Sequence, residues 1–319
     1  MDYRQAAEFL KTHDNYLILI HKRPDGDTTG CAAGLCRALR SLGKTAHVLP
    51  SPDATALLAG YLDGLTAPEG FEPDTVVSVD VAALGLLPSN AAAYKDRVDL
   101  AIDHHPSQEF FARETCLEAD RAACGEIIWN ICKELGVKGQ DIAAPLYVAV
   151  ATDCGCFVYA NTTPHTHRAA AELMEQGIPF QALNKKHFRT KSRKRMMLES
   201  MLYQQMRFYH GGAVAVAPIT LELLDSIGAT SEDTDDIAAF AGQIEGVLHS
   251  VTIREHENGE CRVSVRTRAE LLNATKVCAR LGGGGHRAAS GCTVKGTAAE
   301  AEQAILAAID EQLAQPTQD

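Results

Sequence analysis

The chain has 319 residues, beyond the roughly 250–300 at which one hydrophobic core stops growing, so two domains are expected. With 46% hydrophobic and 22% charged residues it has the make-up of a globular protein, which excludes collagen, coiled coil and long disorder. Its net charge of −11 argues against an extended basic groove for duplex DNA or long RNA, but leaves room for a short anion held at one local site.

No apolar run approaches the ~20 residues of a membrane span, and the start, MDYRQAAEFLKTHDN, lacks the basic end and apolar stretch of a signal peptide. A cytoplasmic protein without a membrane partner is the expectation. The 10 cysteines are scattered and form no C-x-x-C pair, so they read as small buried hydrophobes and not as a disulfide framework or a structural zinc site.

In chain order, Tyr16–Ile20 (YLILI) is a buried strand candidate, and Thr28–Leu42 follows as a helix with Ala32, Leu35, Leu39 and Leu42 on one face and Gly43 at its end. Thr45–Leu49, Val76–Val81 and Val98–Ile102 read as further strands, apolar without strict alternation, as expected of strands covered on both faces. Helices are expected over Ala122–Leu135 and Asp141–Thr152. This alternation implies an α/β domain, a doubly wound and mostly parallel sheet, over residues 1–184. From Lys185 a basic run without an intervening acid reads as one long helix to about Tyr209, a helical linker over residues 185–210 with a solvated face. Residues 211–319 read as a smaller α+β domain. It has a strand at Ala213–Ala217 and two more, Val247–Glu257 and Glu260–Arg268, around an Asn258-Gly259 hairpin turn. A short helix over Asn273–Leu281 runs into Gly282–Gly285 and His286. Thr293–Lys295 suggests one more strand, and a capping box at Thr297 and Glu300 opens a final helix to about Leu313. Gln315–Asp319 look disordered.

Acids and histidines recur where the strands end. His21, Asp25 and Asp27 follow the first strand, Asp80 lies at the end of the third, Asp103-His104-His105 ends the fourth, and Asp153 closes the Asp141 helix. Singly these are ordinary: Asp25-Gly26-Asp27 is a common turn, an aspartate such as Asp80 at a strand end can cap the next helix, and adjacent histidines can be satisfied core residues. Together, in a parallel sheet, they share one edge. Carboxylates crowded in that way push one another's pKa upward unless cations join them, so divalent metal is expected. Mixed carboxylate and imidazole ligands suit Mn²⁺, with Mg²⁺, Co²⁺ or Fe²⁺ as alternatives. Two ions close together are the usual device for displacement at phosphorus. In the second half, Gly282–Gly285 can bring backbone N–H groups up to an anion, with Arg266 on a facing strand and His286 directly after.

HKRPDGDTTG, VSVDVA, IDHHPS and ATDCGCF, in that order, resemble the four motifs of the DHH phosphoesterases, and RTR followed by GGGGHRAASG resembles their DHHA1 substrate domain. The resemblance runs from about Asn15 to Lys295 and is nearest to the NrnA-type oligoribonucleases. It implies that His21, Asp25 and Asp80 hold one metal and that Asp27, Asp80, His104 and Asp153 hold the other, with Asp80 shared. It implies that Asp103 orients His104, that His105 faces the scissile phosphate, and that Arg266, Gly283, Gly284, Gly285 and His286 grip the substrate. The implied substrates are very short RNA, cut to mononucleotides, and 3′-phosphoadenosine 5′-phosphate (pAp). A phosphodiesterase for cyclic or linear dinucleotides such as c-di-AMP, and a non-catalytic nucleotide-binding module, are the alternatives. A homodimer is a further expectation.

Overall fold

The computed structural model describes residues 1–230, 232–234 and 237–314, and the chain divides into two compact units, Met1–Thr190 and Lys191–Asp319. The expectation for Gln315–Asp319 lies outside the described residues.

The first unit opens with α1 (Tyr3–Thr12), which the sequence reading does not anticipate although Asp2 and Gln5 form a capping box at its start. Then come β1 (Tyr16–Leu19), α2 (Gly26–Ser41), β2 (Ala46–Val48), the short α3 (Ala56–Ala59) and β3 (Thr75–Val79). β4 (Leu100–Asp103), β5 (Glu114–Leu117), α4 (Cys124–Leu135), α5 (Gln140–Asp153), α6 (Pro164–Met174) and α7 (Phe180–Asn184) complete it. The five strands form one parallel sheet in the order β2-β1-β3-β4-β5. Strand order reverses between β1 and β3, and the crevice beyond the carboxyl ends at such a reversal is where open α/β sheets bind ligands. β5 is an edge strand of sequence ETCL with only Cys116 buried, so it offers no apolar run to read.

What brings α2 against α5 is a stripe of glycines at Gly26, Gly30 and Gly34. A methyl at Gly30 would lie 2.3 Å from the Pro145 carbonyl oxygen, and one at Gly26 would lie 2.3 Å from Thr152 Oγ1. Pro145 sits inside α5 and has no N–H to give the carbonyl one turn back. Arg37, on α2, supplies the missing donor: its Nη1 bonds the Asp141 carbonyl at 3.0 Å. The helices are thereby locked with the start of α2 beside the end of α5, where Asp25, Asp27 and Asp153 lie.

The second unit begins with α8 (Arg193–Gln205), β6 (Arg207–Tyr209), β7 (Val214–Ile219), α9 (Leu221–Ile227), β8 (His249–His256) and β9 (Glu260–Thr267). α10 (Ala274–Ala279), β10 (Gly284–His286), β11 (Ala289–Lys295) and α11 (Ala298–Ala314) follow. Its six strands run β10-β11-β9-β8-β7-β6, antiparallel except for the parallel pair β7–β8. The long helix expected over Lys185–Tyr209 does not form as one piece. Lys185–Arg189 is a π-helical turn, Thr190 is extended at φ −104°, ψ 126°, and α8 starts afresh at Ser192, whose hydroxyl accepts from Arg195 N at 2.9 Å. β-branched Thr190 and an N-capping serine favour that break over helix continuation. Met206 is extended, and Arg207–Tyr209 pairs with β7 as a strand. Part of the basic run is spent locally, since Lys191 and Arg195 both reach Glu199, at 2.7 and 2.8 Å.

Candidate active site

The acids and histidines singled out from the sequence converge at the β1/β3 reversal of the first sheet. Asp25 caps α2, its Oδ1 accepting from Asp27 N and Thr28 N at 3.0 and 3.1 Å. Asp27 is buried and held from behind by the start of α4: Cys124 N bonds its Oδ2 at 2.7 Å and Gly125 N its Oδ1 at 3.0 Å. The Cys31 thiol donates to Oδ1 as well, at 3.2 Å. Asp80, directly after β3, is 3% exposed and adopts φ +58°, a left-handed backbone that only a constrained non-glycine keeps. Its Oδ1 is buried and has no hydrogen-bond partner among the described residues.

The imidazoles complete the cluster. His21 Nδ1 meets the Lys22 carbonyl at 2.9 Å and His104 Nδ1 meets the Arg121 carbonyl at 3.1 Å. A carbonyl only accepts, so each Nδ1 carries a proton and each neutral ring presents the lone pair of Nε2 to the acids. His21 Nε2 lies 3.6 Å from Asp25 and 3.7 Å from Asp80. His104 Nε2 lies 3.8 Å from Asp27 and 3.5 Å from both Asp80 and Asp153. Three overlapping sets, His21–Asp25–Asp80, Asp27–His104–Asp153 and Asp80–His104–His105, each place their ligand atoms within 4.8 Å of one another.

The electrostatics follow from this crowding. Burial and the neighbouring Asp80 charge raise the Asp27 carboxyl far above the usual range, and burial raises Asp80. Burial and Asp27 push Asp153 up to about 7. Burial works against charge on His21 and His104, yet the acids around them outweigh it and raise them to about 9 and about 10. Protons thus do the work of cations, poorly. Divalent ions fit what is present: an orphaned buried carboxylate oxygen, two ring nitrogens fixed in the ligating tautomer, and carboxylates too close to ionise together. Cys31 and Cys124 stand behind Asp27 as buried thiols whose pKa burial raises, so they add no thiolate.

Asp103 is fully buried and acts differently from the expectation that it orients the His104 ring. Its Oδ1 accepts from His104 N at 2.8 Å and from His105 Nδ1 at 2.8 Å, and its Oδ2 from Gln108 Nε2 at 2.6 Å. The His104 ring is oriented by the Arg121 carbonyl, and the carboxylate belongs to His105. The bond to Asp103 outweighs burial and raises the His105 pKa.

In the second unit, His286 on β10 pairs with Ala289 on β11, and Ala289 with Arg266 on β9, so Arg266 and His286 stand on one face of that sheet. The glycine run is not the open nest expected. Gly282 N and Gly283 N bond Ala279 O and Cys278 O and close α10, while Gly284–His286 is β10 itself. Gly283 packs so tightly that a methyl there would lie 2.2 Å from the Gly291 carbonyl oxygen, while Gly282, Gly284, Gly285 and His286 are exposed.

Sequence reasoning missed the Cys124 and Gly125 amides, the Arg121 carbonyl and Gln108. The first three are main-chain groups without a sequence signature, and Gln108 is a single polar residue in a loop. It also missed buried Glu126, which binds His165 Nδ1 at 2.6 Å, Thr166 Oγ1 at 2.9 Å and Ala122 N at 3.1 Å and so ties α6 to the start of α4.

Comparison with known proteins agrees with this geometry. The N-terminal domain of the DHH family matches residues 15–152, and the DHHA1 domain matches residues 211–315. The chain is 33% identical to the bifunctional oligoribonuclease and PAP phosphatase NrnA of Thermus thermophilus, over 97% of this chain and 94% of that protein. It is 26% identical to the protein of the same description from Bacillus subtilis, over 90% and 93%. The crystal structure of an exopolyphosphatase-related protein from Bacteroides fragilis superposes with a TM-score of 0.85 at 23% identity, covering 97% of this chain and 95% of that one.

Proposed function

Since the chain belongs to the DHH phosphoesterase family and carries the family's DHHA1 domain, we propose that it is a metal-dependent hydrolase that degrades very short oligoribonucleotides to mononucleotides and removes a phosphate from pAp. The observation that carries the reading is buried Asp80, which belongs to two of the three ligand sets and keeps an unpartnered oxygen. His21, Asp25 and Asp80 would hold one divalent ion, and Asp27, Asp80, His104 and Asp153 the other. Mn²⁺ is the proposed ion, because the donors are carboxylate and imidazole without thiolate. Bound there, the ions would supply Lewis acidity to the phosphate and acidify the attacking water.

The remaining work falls to the chain's own side chains. With Nδ1 on Asp103, His105 keeps Nε2 for the substrate, and the carboxylate favours the protonated ring. His105 is therefore proposed to donate to a phosphate oxygen or to the leaving ribose oxygen. Asp103 fixes that ring, with Gln108 holding its second oxygen. Arg266, Gly284, Gly285 and His286 are proposed to bind the nucleotide, with Gly283 as the close-packed residue that shapes their loop.

The test is a time course with end-labelled RNAs of two to five nucleotides, pAp and c-di-AMP, with Mn²⁺ and with chelator. Hydrolysis of short RNA and pAp that needs Mn²⁺, and is lost in Asp80→Ala, is expected. Full activity of Asp80→Ala would overturn the proposal, and preferential cleavage of c-di-AMP would replace the substrate.

A further inference from the structure

The loop that follows Asp153 holds three successive residues in the left-handed region: Gly155, Cys156 and Phe157 have φ of +56°, +55° and +69°. For Gly155 that conformation is free, but Cys156 and Phe157 carry side chains that disfavour it, and such a run persists only where its surroundings hold it. They do so at two points. The Phe157 ring packs against the core of the first unit and stacks on His167, with 5.0 Å between centroids. Asn161 Nδ2 bonds the Asp153 carbonyl and the Ala122 carbonyl, each at 3.1 Å. That closes the loop on itself and fastens it to the approach to α4, whose first amides hold Asp27.

What this turn delivers is Tyr159. Its amide bonds the Cys154 carbonyl at 3.1 Å, and its ring folds back over Gly155, where an added methyl would lie 2.5 Å from Cε1 and Cζ and 2.7 Å from Cδ1. Glycine is required at 155 twice over, for its φ and for the room the ring takes. The ring is thus seated on main chain, yet Tyr159 is 56% exposed and belongs to none of the hydrophobic clusters. It adds nothing to the core, in contrast to Phe157 two residues earlier. The loop that carries it starts inside the ligand cluster, because Asp153 Oδ2 lies 3.5 Å from His104 Nε2. A rigidly backed aromatic ring, left open to solvent beside a phosphate-handling centre, fits a flat apolar partner.

We propose that Tyr159 is a base-stacking platform, on whose open face lies the purine or pyrimidine adjoining the scissile phosphate. The proposal rests on the nucleotide reading above and deepens it by adding a determinant of base recognition in the first unit. Every base has a π-face, so a single ring accepts all four bases and gives affinity without sequence choice. Holding the ring on Gly155 before the substrate arrives removes the ordering cost that a free side chain would meet on binding. A sugar phosphate without a base would still meet the metals and His105, but not the ring.

The test compares Tyr159→Ala, Tyr159→Phe and Tyr159→Trp with the parent, full chain with Mn²⁺, on pAp and on ribose 3,5-bisphosphate, its base-free counterpart, used as substrate or competitor. Tyr159→Ala should raise KM for pAp by about fivefold to hundredfold, the range of one base stacked on an aromatic side chain, and leave the base-free compound unaffected. Tyr159→Phe and Tyr159→Trp should stay near the parent, because the ring and not the hydroxyl makes the contact. An unchanged KM for pAp in Tyr159→Ala, an equal loss on both compounds, or a loss in Tyr159→Phe as large as in Tyr159→Ala would overturn the proposal. Fluorescence separates it from the functional reading. The parent's single tryptophan, Trp129, is buried, so the added emission of Tyr159→Trp reports on the platform. In chelator, AMP should quench it saturably and ribose 5-phosphate should not. If the parent hydrolyses neither RNA nor pAp, the functional reading fails and this quenching still decides the role of Tyr159. Quenching by both compounds, or by neither, would overturn the platform even where the parent is an active hydrolase.

Discussion

Gly30→Ala isolates the device that sets the α2–α5 approach. By helix propensity alone the change is favourable, by about 0.8–1 kcal/mol in a helix interior. The added methyl, however, would lie 2.3 Å from the Pro145 carbonyl oxygen, 2.9 Å from Ala149 Cβ and 3.0 Å from Ala149 N. Two of these three are main-chain atoms of α5, which cannot turn aside as a side-chain tip can, so the helices must separate. Overpacking of that kind costs about 1–3 kcal/mol, toward the upper end where backbone moves. The net expectation is a loss of about 1–2 kcal/mol, or a melting point lower by ~2–8 °C for a unit of this size. Separation also carries Asp27, on α2, away from Asp153, on α5, so Mn²⁺ affinity should fall at least tenfold. Melts in chelator and calorimetric titration with Mn²⁺ read the two effects. Gly60→Ala is the control, since Gly60 has φ −61° and its nearest atom to an added methyl is Asp63 Oδ2 at 3.9 Å. A Gly30→Ala protein that melts at or above the parent and binds Mn²⁺ equally would refute the reasoning, because propensity would then outweigh contact.

Two further outcomes follow from the site. In chelator, stability should fall as pH rises: the raised pKa values of His21, about 9, and His104, about 10, contribute stability that is full below the unfolded value near 6.5 and lost on passing through 9 and 10. Asp153, raised to about 7, adds a slope of the same sign between pH 4 and 7. With Mn²⁺ the slope should flatten or reverse, since ligation displaces those protons. Urea midpoints at pH 6.5 and 9 with and without EDTA decide it, and a midpoint that climbs with pH in EDTA would contradict the assigned directions. Asp103→Asn should lower kcat by about 10–100-fold, the usual cost of losing a carboxylate behind an imidazole. Its alkaline limb should move to lower pH, because His105 loses the partner that raises its pKa. A pH–rate profile shows this, and an unmoved limb would mean that Asp103 serves His105 only as a prop.

The gathering of His21, Asp25, Asp27, Asp80, His104 and Asp153 was legible in the sequence because each follows a strand or ends a helix, and parallel topology places those ends on one edge. The partners that fix them were not. Asp27 is held by the amides of Cys124 and Gly125, and the His21 and His104 rings by carbonyls of Lys22 and Arg121, and any residue supplies such groups. The break at Thr190 was hidden by charge continuity, which says nothing about backbone angle. The glycine run misled for a related reason: conformational freedom permits a nest but does not demand one, and the exit of α10 took the amides first. The spacing of Gly26, Gly30 and Gly34 was visible throughout, but only Pro145 and Thr152 opposite give it meaning.

The same crowding that makes the site useful makes it costly when metal-free. Asp80 combines a left-handed backbone with an unpartnered buried oxygen, while Asp27, Asp80 and Asp153 are all driven toward protonation. Among the described residues no donor closes on Asp80 Oδ1, since His104 Nε2 and His105 Nδ1 stop 3.5 and 3.6 Å away, too far for a good hydrogen bond. Such local cost is typical of a site preorganised for a ligand. A cation that binds the folded arrangement and not the unfolded chain adds its binding free energy to folding. Metal affinity and the stability of the first unit are therefore one coupled quantity. Substitutions that tighten the fold by neutralising the cluster, such as Asp80→Asn, should raise the melting point in chelator while abolishing the gain from Mn²⁺. A variant that lowered the melting point in chelator would show that Asp80 is held by contacts other than these.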